Sequence, residues 1–157
     1  MDLTGSIAHE FGHVLGFQSE VDLVATGQVS GKLVSSLNLT PYIMDLFRYS
    51  DLSVTDNGGL TPTKIIDLTA DARPKFFSID GMKNKIAEFA RGFVVGNGDG
   101  FGPSHWFSGT KPDTGLPKDA PNPAIGLMTA SGIQGKEILK RNLDTDKKLF
   151  DVIGWTL

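Results

Sequence analysis

The chain of 157 residues contains no cysteine, and this absence narrows the chemistry open to it. Disulfide bonds, thiolate metal ligands and a cysteine nucleophile are all excluded. Any metal site must therefore use the imidazoles of histidine or the carboxylates of aspartate and glutamate. A chain without cysteine is compatible with both reducing and oxidising compartments, so its location stays open at this point.

Long apolar runs and clusters of basic residues are also missing. No apolar stretch approaches the ~20 residues that a transmembrane helix needs, so we expect no membrane span. The formal net charge is -3 and lysines and arginines do not cluster, which argues against nucleic acid as a partner. Because 39% of the residues are hydrophobic and 21% charged, the composition predicts an ordinary globular domain over residues 1–157.

The chain opens with a segment that has helical periodicity. Ile7, Phe11 and Val14 repeat at the spacing of one helix face, and we expect that face to contact a core. Gly16 is expected to end the helix, because glycine readily adopts the left-handed conformation found after helix ends. The sequence therefore predicts a helix over residues 3–16.

This helix carries two of the chain's three histidines, in the stretch IAHEFGHVLGF. His9 and His13 are four residues apart, so both imidazoles leave the same helix face and can supply two of the four ligands of a zinc ion. Glu10 can point at the open position of the metal and take a proton from a bound water. The alternative is a helix that carries these three residues on its exposed side by chance.

Two histidines leave the metal site one ligand short, because a hydrolytic zinc usually has three protein ligands. In a short-spaced form of the motif the third ligand would fall at Ser19, which is a poor zinc ligand. The remaining histidine, His105, follows a glycine-rich loop that can bring its backbone close to the helix. From spacing alone, two readings of His105 stay open: a metal ligand, or an ordinary imidazole bonded to its neighbours.

The glycine-rich loop itself, GNGDGFG, contains Asp99 and has some features of a calcium site. It lacks the spaced carboxylates of an EF-hand. The preferred interpretation is a tight backbone turn just before His105.

The rest of the chain predicts strands followed by a closing helix. Residues 42–50 and 74–90 are expected to be strands, and the second segment contains a preferred hairpin turn, Asp80-Gly81. A final helix is expected to begin near Asp144–Asp146, to bury Leu149, Phe150 and Ile153, and to stop at Gly154. The predicted fold class is therefore α+β.

The order of the motifs, HEFGHVLGF, a long insertion, SHW, and LM before a closing helix, resembles the leishmanolysin-like metzincins, a group of zinc metallopeptidases. The chain is also similar to bacterial secreted members with FSIDG, GDG…SHW and a FDVIGW ending. The resemblance implies a metzincin-like catalytic half in which residues 1–17 hold the active-site helix. Residues 18–104 would then be an inserted β-rich segment, and residues 105–157 the third-ligand loop, the methionine turn and the C-terminal helix.

The resemblance also implies a role for individual residues. His9, His13 and His105 would be the ligands of Zn²⁺, and Glu10 would be the general base. Met128, in AIGLMTASG, would be the methionine of the turn beneath the metal, where a soft unbranched side chain forms an apolar floor. Without the resemblance, Met128 is an ordinary core residue.

The implied function is that of a secreted or extracellular zinc endopeptidase acting on protein or peptide substrates. Metzincins carry a twisted sheet before the active-site helix, which residues 1–6 cannot provide, so we expect an N-terminal part to be missing. Two alternatives follow from the same residues. One is a non-catalytic zinc-stabilised domain or an inactive peptidase fragment, and the other is a β-rich binding module in which the helix motif is incidental.

Overall fold

The computed structural model describes residues 3–29, 39–54, 66–93, 98–108, 126–130 and 143–156. These residues form the α-helices α1 (Leu3–Val14), α2 (Val21–Val29) and α3 (Asp144–Val152), and the strands β1 (Arg48–Tyr49), β2 (Lys75–Phe77) and β3 (Ala87–Phe89). Two 3₁₀ helices, Ile43–Phe47 and Asp51–Val54, flank β1. The strands form one antiparallel sheet in the order β1-β2-β3, which confirms the α+β class. Within these ranges, every helix falls short of the length and apolarity needed to cross a membrane.

The end of α1 confirms the predicted role of Gly16. The φ angle of Gly16 is +110°, and its N–H donates to the carbonyl of His13 at 3.1 Å. The N–H of Phe17 donates to the carbonyl of Gly12 at 3.0 Å, so the two bonds together form a Schellman motif. The turn sends the chain back toward the centre of the fold, where Phe17 is fully buried.

The expectation that one face of α1 contacts a core is wrong for its large side chains. Ile7, Phe11 and Val14 are 48%, 61% and 77% exposed, whereas Gly5 and Gly12 are the buried residues of this helix. The helix meets the rest of the described fold through a face that carries glycines. Only a residue without a side chain allows such close contact, and apolar periodicity does not report it.

Residues 42–50 are also not the strand that their composition predicts. Ile43–Phe47 is a 3₁₀ helix, and only Arg48–Tyr49 pairs with β2. The cause is Asp45, which is fully buried and whose carboxylate accepts the N–H of Tyr42 at 3.0 Å. Bonds of this kind between a side chain and the local backbone compete with a sheet ladder.

The predicted hairpin is confirmed as a strand pair but has a longer turn than a two-residue loop. Strands β2 and β3 pair through Lys75 opposite Phe89 and Phe77 opposite Ala87. Residues 78–86 connect them, and within this connection Asp80 accepts the N–H of Asn84 at 2.9 Å. The predicted Asp-Gly turn is therefore one part of a wider loop.

The closing helix agrees with the prediction. Helix α3 spans Asp144–Val152, Leu149 and Phe150 are buried, and Ile153 packs against the same core. Its end repeats the arrangement seen at the end of α1, because Gly154 has a φ angle of +111° and the N–H of Trp155 donates to the carbonyl of Phe150 at 2.9 Å.

The core is built around the indole of Trp106. This ring stacks on Phe89 and meets the edge of Phe17, in both cases with centroids 4.9 Å apart, and its Nε1–H donates to Asp146 at 2.8 Å. The backbone of Trp106 bridges Phe89 on one side and Thr129 on the other. The buried core residues are Phe17, Met44, Phe77, Phe89, Trp106, Met128, Leu149 and Phe150.

Helix α2 was not among the elements expected in residues 18–104. It is held by a smaller apolar cluster of Val21, Val24, Ala25 and Ala70. The described part of residues 18–104 therefore contains an α-helix and two 3₁₀ helices beside its short strands.

Candidate metal centre

Helix α1 presents His9 and His13 side by side. Their ring centroids are 4.9 Å apart, as expected for residues one helical turn apart on the same face. Both rings are half-buried. The predicted pair of ligands is therefore formed by local helix geometry alone.

His105 reaches this pair because its neighbours are built into the core. The carbonyl of His105 accepts the N–H of Ala90 at 2.9 Å, and the next residue, Trp106, is fully buried. The ring of His105 lies 4.9 Å from that of His13 and 5.2 Å from that of His9, measured between centroids. Of the two readings left open by the sequence, the structure places His105 with the helix pair.

The orientation of the three rings leaves the same nitrogen of each available to a metal. Every Nδ1 faces a backbone carbonyl, which can only accept a hydrogen bond, so each Nδ1 must carry the proton. In the neutral rings the Nε2 atoms then hold the free lone pairs. The carbonyl partners are Leu127 for His9 at 2.8 Å, Phe17 for His13 at 2.8 Å and Gly102 for His105 at 2.9 Å.

The spacing of these nitrogens fits a tetrahedral ion. One ligand nitrogen from each histidine lies within 4.8 Å of the other two, and Nε2 of His9 is 3.2 Å from Nε2 of His105. Ligands about 2.0–2.1 Å from a tetrahedral zinc are roughly 3.3 Å apart. Two lone pairs at this distance repel each other unless a cation lies between them, so the arrangement fits a bound metal ion.

His105 does not itself supply a proton between these nitrogens at neutral pH. Burial, together with the neighbouring rings of His13 and His9, lowers the pKa of His105 to about 4, although its bond to the carbonyl of Gly102 opposes the shift. His105 is therefore a neutral donor. Three imidazoles without a thiolate are a donor set that suits zinc.

Met128 packs against α1 at Gly12, and its place in a turn beneath a metal stays a prediction from the resemblance. Its side chain is fully buried, and a Cβ atom placed on Gly12 would overlap its sulfur and lie 3.1 Å from its Cε. The preceding residue, Leu127, supplies the carbonyl that orients His9. The turn is fixed by Asp146, whose carboxylate accepts the N–H groups of Leu127 at 2.6 Å and of Met128 at 3.3 Å.

Glu10, the predicted general base, does not take part in this buried arrangement. It follows His9 on α1 and is exposed. An exposed glutamate beside a ligand can turn its carboxylate toward the open position of a metal, as the proposed role requires. Ser19 does not act as the third ligand in this fold, since its hydroxyl donates to Asp45 at 2.5 Å.

A cavity of about 640 Å³ opens beside two of the histidines. His13 and His105 form part of its wall, and the remainder comes from the chain after α1, from α2, and from residues around the glycine-rich loop. The other lining residues are Gln18, Ser19, Glu20, Asp22, Leu23, Thr26, Tyr42, Phe93, Gly102 and Ser104. A ligand in this cavity would lie against the side chains of His13 and His105.

Sequence reasoning missed the contact between Asp22 and Ser104, the residue before His105. Ser104 donates both its hydroxyl and its N–H to the carboxylate of Asp22, although 82 positions separate the two residues. The serine before His105 was the one available signal, and its meaning depends on a contact that periodicity does not reveal.

Asp99 takes the structural role preferred for it. It is fully buried, and its Oδ1 accepts the N–H groups of Phe101 at 3.1 Å and of Gly92 at 3.3 Å. Burial raises its pKa to about 6 despite these bonds. Within the described ranges, the three histidines are the group whose donors converge closely enough for a metal, and Asp99 is not part of it.

No family model, no characterised protein and no solved structure matches this chain in three separate comparisons. Membership of the metzincins therefore stays a prediction from the motifs. A metal centre is inferred from the positions of the three histidines, which do not depend on that membership.

Proposed function

We propose that this chain is a zinc-dependent endopeptidase whose metal is held by His9, His13 and His105. The single observation that supports it most is the convergence of three imidazoles from two distant parts of the chain, each with its Nδ1 facing a backbone carbonyl. Hydrogen bonds from the other ring nitrogen to a carbonyl are typical of metal-ligating histidines, because they fix both the tautomer and the direction of the ring.

A zinc ion in this site would supply a Lewis acid and a water of lowered pKa, which is the chemistry that hydrolysis of a peptide bond requires. With three protein ligands, a bound zinc would have a further position for water or substrate. The cavity beside His13 and His105 gives a substrate chain a place next to that position.

Glu10 is the group of this chain that moves the proton. Its carboxylate accepts a proton from the attacking water and afterwards delivers one to the leaving amine. The residue follows His9 on the same helix and its side chain is exposed, so the carboxylate is free to turn toward the position that the three histidines would give the ion.

The experiment that tests this function replaces Glu10 by glutamine. Glu10→Gln is expected to abolish cleavage of a casein or peptide substrate, because glutamine cannot accept the proton, while zinc stays bound at one ion per chain. Asp151→Asn is the matched control, since it makes the same change at an exposed carboxylate on α3. Undiminished proteolysis in Glu10→Gln would reject the mechanism.

A non-catalytic zinc domain is the second candidate. It is favoured by the same long-range geometry, because an ion shared by α1 and the segment of His105 would join parts of the chain 96 positions apart. This candidate predicts one tightly bound zinc ion without turnover, for both the wild type and Glu10→Gln. An incidental motif in a binding module is less well supported, since it gives no reason for His105 to meet the helix pair. Secretion stays a prediction from the resemblance.

A further inference from the structure

Ser104, the residue immediately before His105, is bonded to the connection between α1 and α2. It is 4% exposed, and its hydroxyl donates to Oδ2 of Asp22 while accepting the N–H of Ser19 at 2.8 Å. Its own N–H donates to Oδ1 of Asp22 at 3.3 Å. These three hydrogen bonds join Ser104 to residues 19–22.

Asp22 also lies against the residue that orients His105. A Cβ atom on Gly102 would be 3.3 Å from Oδ1 of Asp22 and 3.4 Å from Nδ1 of His105. The carbonyl of Gly102 is the acceptor for that same Nδ1. The carboxylate of Asp22 therefore hydrogen-bonds Ser104 and borders the space beside Gly102, the residue whose carbonyl faces Nδ1 of His105.

The connection between α1 and α2, which bonds to Ser104, is itself hydrogen-bonded to Asp45. The hydroxyl of Ser19 donates to Oδ1 of Asp45 at 2.5 Å, and Oδ2 of Asp45 accepts the N–H of Glu20 at 2.9 Å. Ser19 and Asp45 are both buried. Because this buried, hydrogen-bonded connection lies directly after α1, it relates the position of Ser104 to that of His13.

We propose that Asp22 and Ser104 are positioning residues for the metal, a pair we call the Asp22–Ser104 clamp. The clamp holds Nε2 of His105 in reach of His9 and His13 before the ion arrives, so binding does not have to order the loop. Ser19, at the position where a short-spaced motif would place a third ligand, contributes its N–H to the clamp instead. This inference rests on the metal site of the proposed function and is independent of peptide hydrolysis.

The first experiment measures zinc affinity for Ser104→Ala by competition with a chromophoric chelator. The dissociation constant is expected to rise about 10- to 100-fold, as for other groups that orient metal ligands. Ser108→Ala is the matched control, because it removes another serine hydroxyl from the same segment. The oxygen of that hydroxyl is buried and has no hydrogen-bond partner among the described residues. We expect its zinc affinity to equal that of the wild type. Equal affinity of Ser104→Ala and the control would overturn the clamp.

A double-mutant cycle separates positioning from general loss of stability. In the His105→Ala background the clamp has no ligand to position, so adding Ser104→Ala should leave the remaining zinc affinity unchanged. A loss of the same size in both backgrounds would show that Ser104 acts on the fold and would overturn the inference. Thermal unfolding of the metal-free variants gives the stability effect separately.

Asp22→Asn provides a second route if Ser104→Ala does not fold. The amide keeps an acceptor for the N–H of Ser104 but presents a donor to its hydroxyl, so zinc affinity should fall, by less than in Ser104→Ala. The spectrum of the Co²⁺-loaded protein should shift toward fewer nitrogen ligands in both variants. An unchanged affinity and an unchanged Co²⁺ spectrum in Asp22→Asn would contradict the clamp. These measurements need no turnover, so an inactive but zinc-binding chain would reject the peptidase and leave the clamp standing.

Discussion

Replacing Gly12 by alanine tests how α1 rests on the turn of Met128. The added Cβ would overlap the sulfur of Met128, lie 3.1 Å from its Cε and 3.5 Å from its Cγ. Real Cβ atoms do not approach other atoms so closely, so either the methionine or the helix must move. Gly12 lies between His9 and His13 on α1, and Met128 follows Leu127. The carbonyl of Leu127 orients His9, so a shift at this contact would reach the metal ligands.

Two opposing effects decide whether Gly12→Ala raises or lowers the free energy of unfolding. Alanine is a better helix former than glycine by about 1 kcal/mol in a helix interior. Overpacking a core costs about 1–3 kcal/mol, and the flexibility of methionine relieves only part of this. Met128 has little room to yield, since it is fully buried and its backbone is held by Trp106 at 2.8 Å and by Asp146 at 3.3 Å. We expect Gly12→Ala to lower the free energy of unfolding by about 1 kcal/mol.

The assay is urea denaturation of the metal-free wild type, of Gly12→Ala, of Met128→Ala and of the double variant. Met128→Ala alone should cost about 2–5 kcal/mol, because it leaves a cavity. In the double variant the new methyl group occupies part of that cavity, so the combined loss should be at least about 1 kcal/mol smaller than the sum of the single losses. Zinc affinity of Gly12→Ala should also fall. A variant stabilised by about 1 kcal/mol with unchanged zinc affinity would refute the packing of Met128 against this helix.

Two further predictions concern pH and metal. Burial raises the pKa of Asp99 to about 6 from an ordinary value of 3.8, so the folded chain binds a proton that the unfolded chain releases. The stability from this group is therefore fully present below pH 3.8 and is lost as the pH rises through about 6. Asp99→Asn should remove this pH dependence of the free energy of unfolding, as measured by urea titrations between pH 4 and 7. An unchanged pH dependence would assign it to other groups. Free zinc at 100 times its dissociation constant should raise the free energy of unfolding by about 2.7 kcal/mol, as measured by thermal or urea unfolding, and acid should remove this gain because protons compete for the same nitrogens. No gain with zinc would argue against a specific site.

Local rules account for the parts of the fold that could be predicted. The spacing of His9 and His13, the end of α1 at Gly16 and the closing helix with its stop at Gly154 each depend on a few neighbouring residues. The hairpin of β2 and β3 also follows from its own alternating pattern. In these cases backbone geometry and sequence pattern lead to the same structure.

Long-range contacts account for what could not be predicted. Asp45 converts an apparent strand into a 3₁₀ helix because its buried carboxylate binds the nearby backbone and Ser19. The core-facing side of α1 is lined by glycine because Met128 comes from 116 positions further along. His105 joins the helix pair through contacts of Ser104 with residues 19–22, and no periodicity encodes a contact of that kind.

The most direct test of the metal centre is X-ray absorption at the zinc edge of the protein loaded with one equivalent of zinc. We predict three imidazole nitrogens at about 2.0–2.1 Å and one further light ligand, with one imidazole fewer in His105→Ala. A spectrum without three imidazoles, or one that His105→Ala leaves unchanged, would contradict a site shared by α1 and the His105 segment.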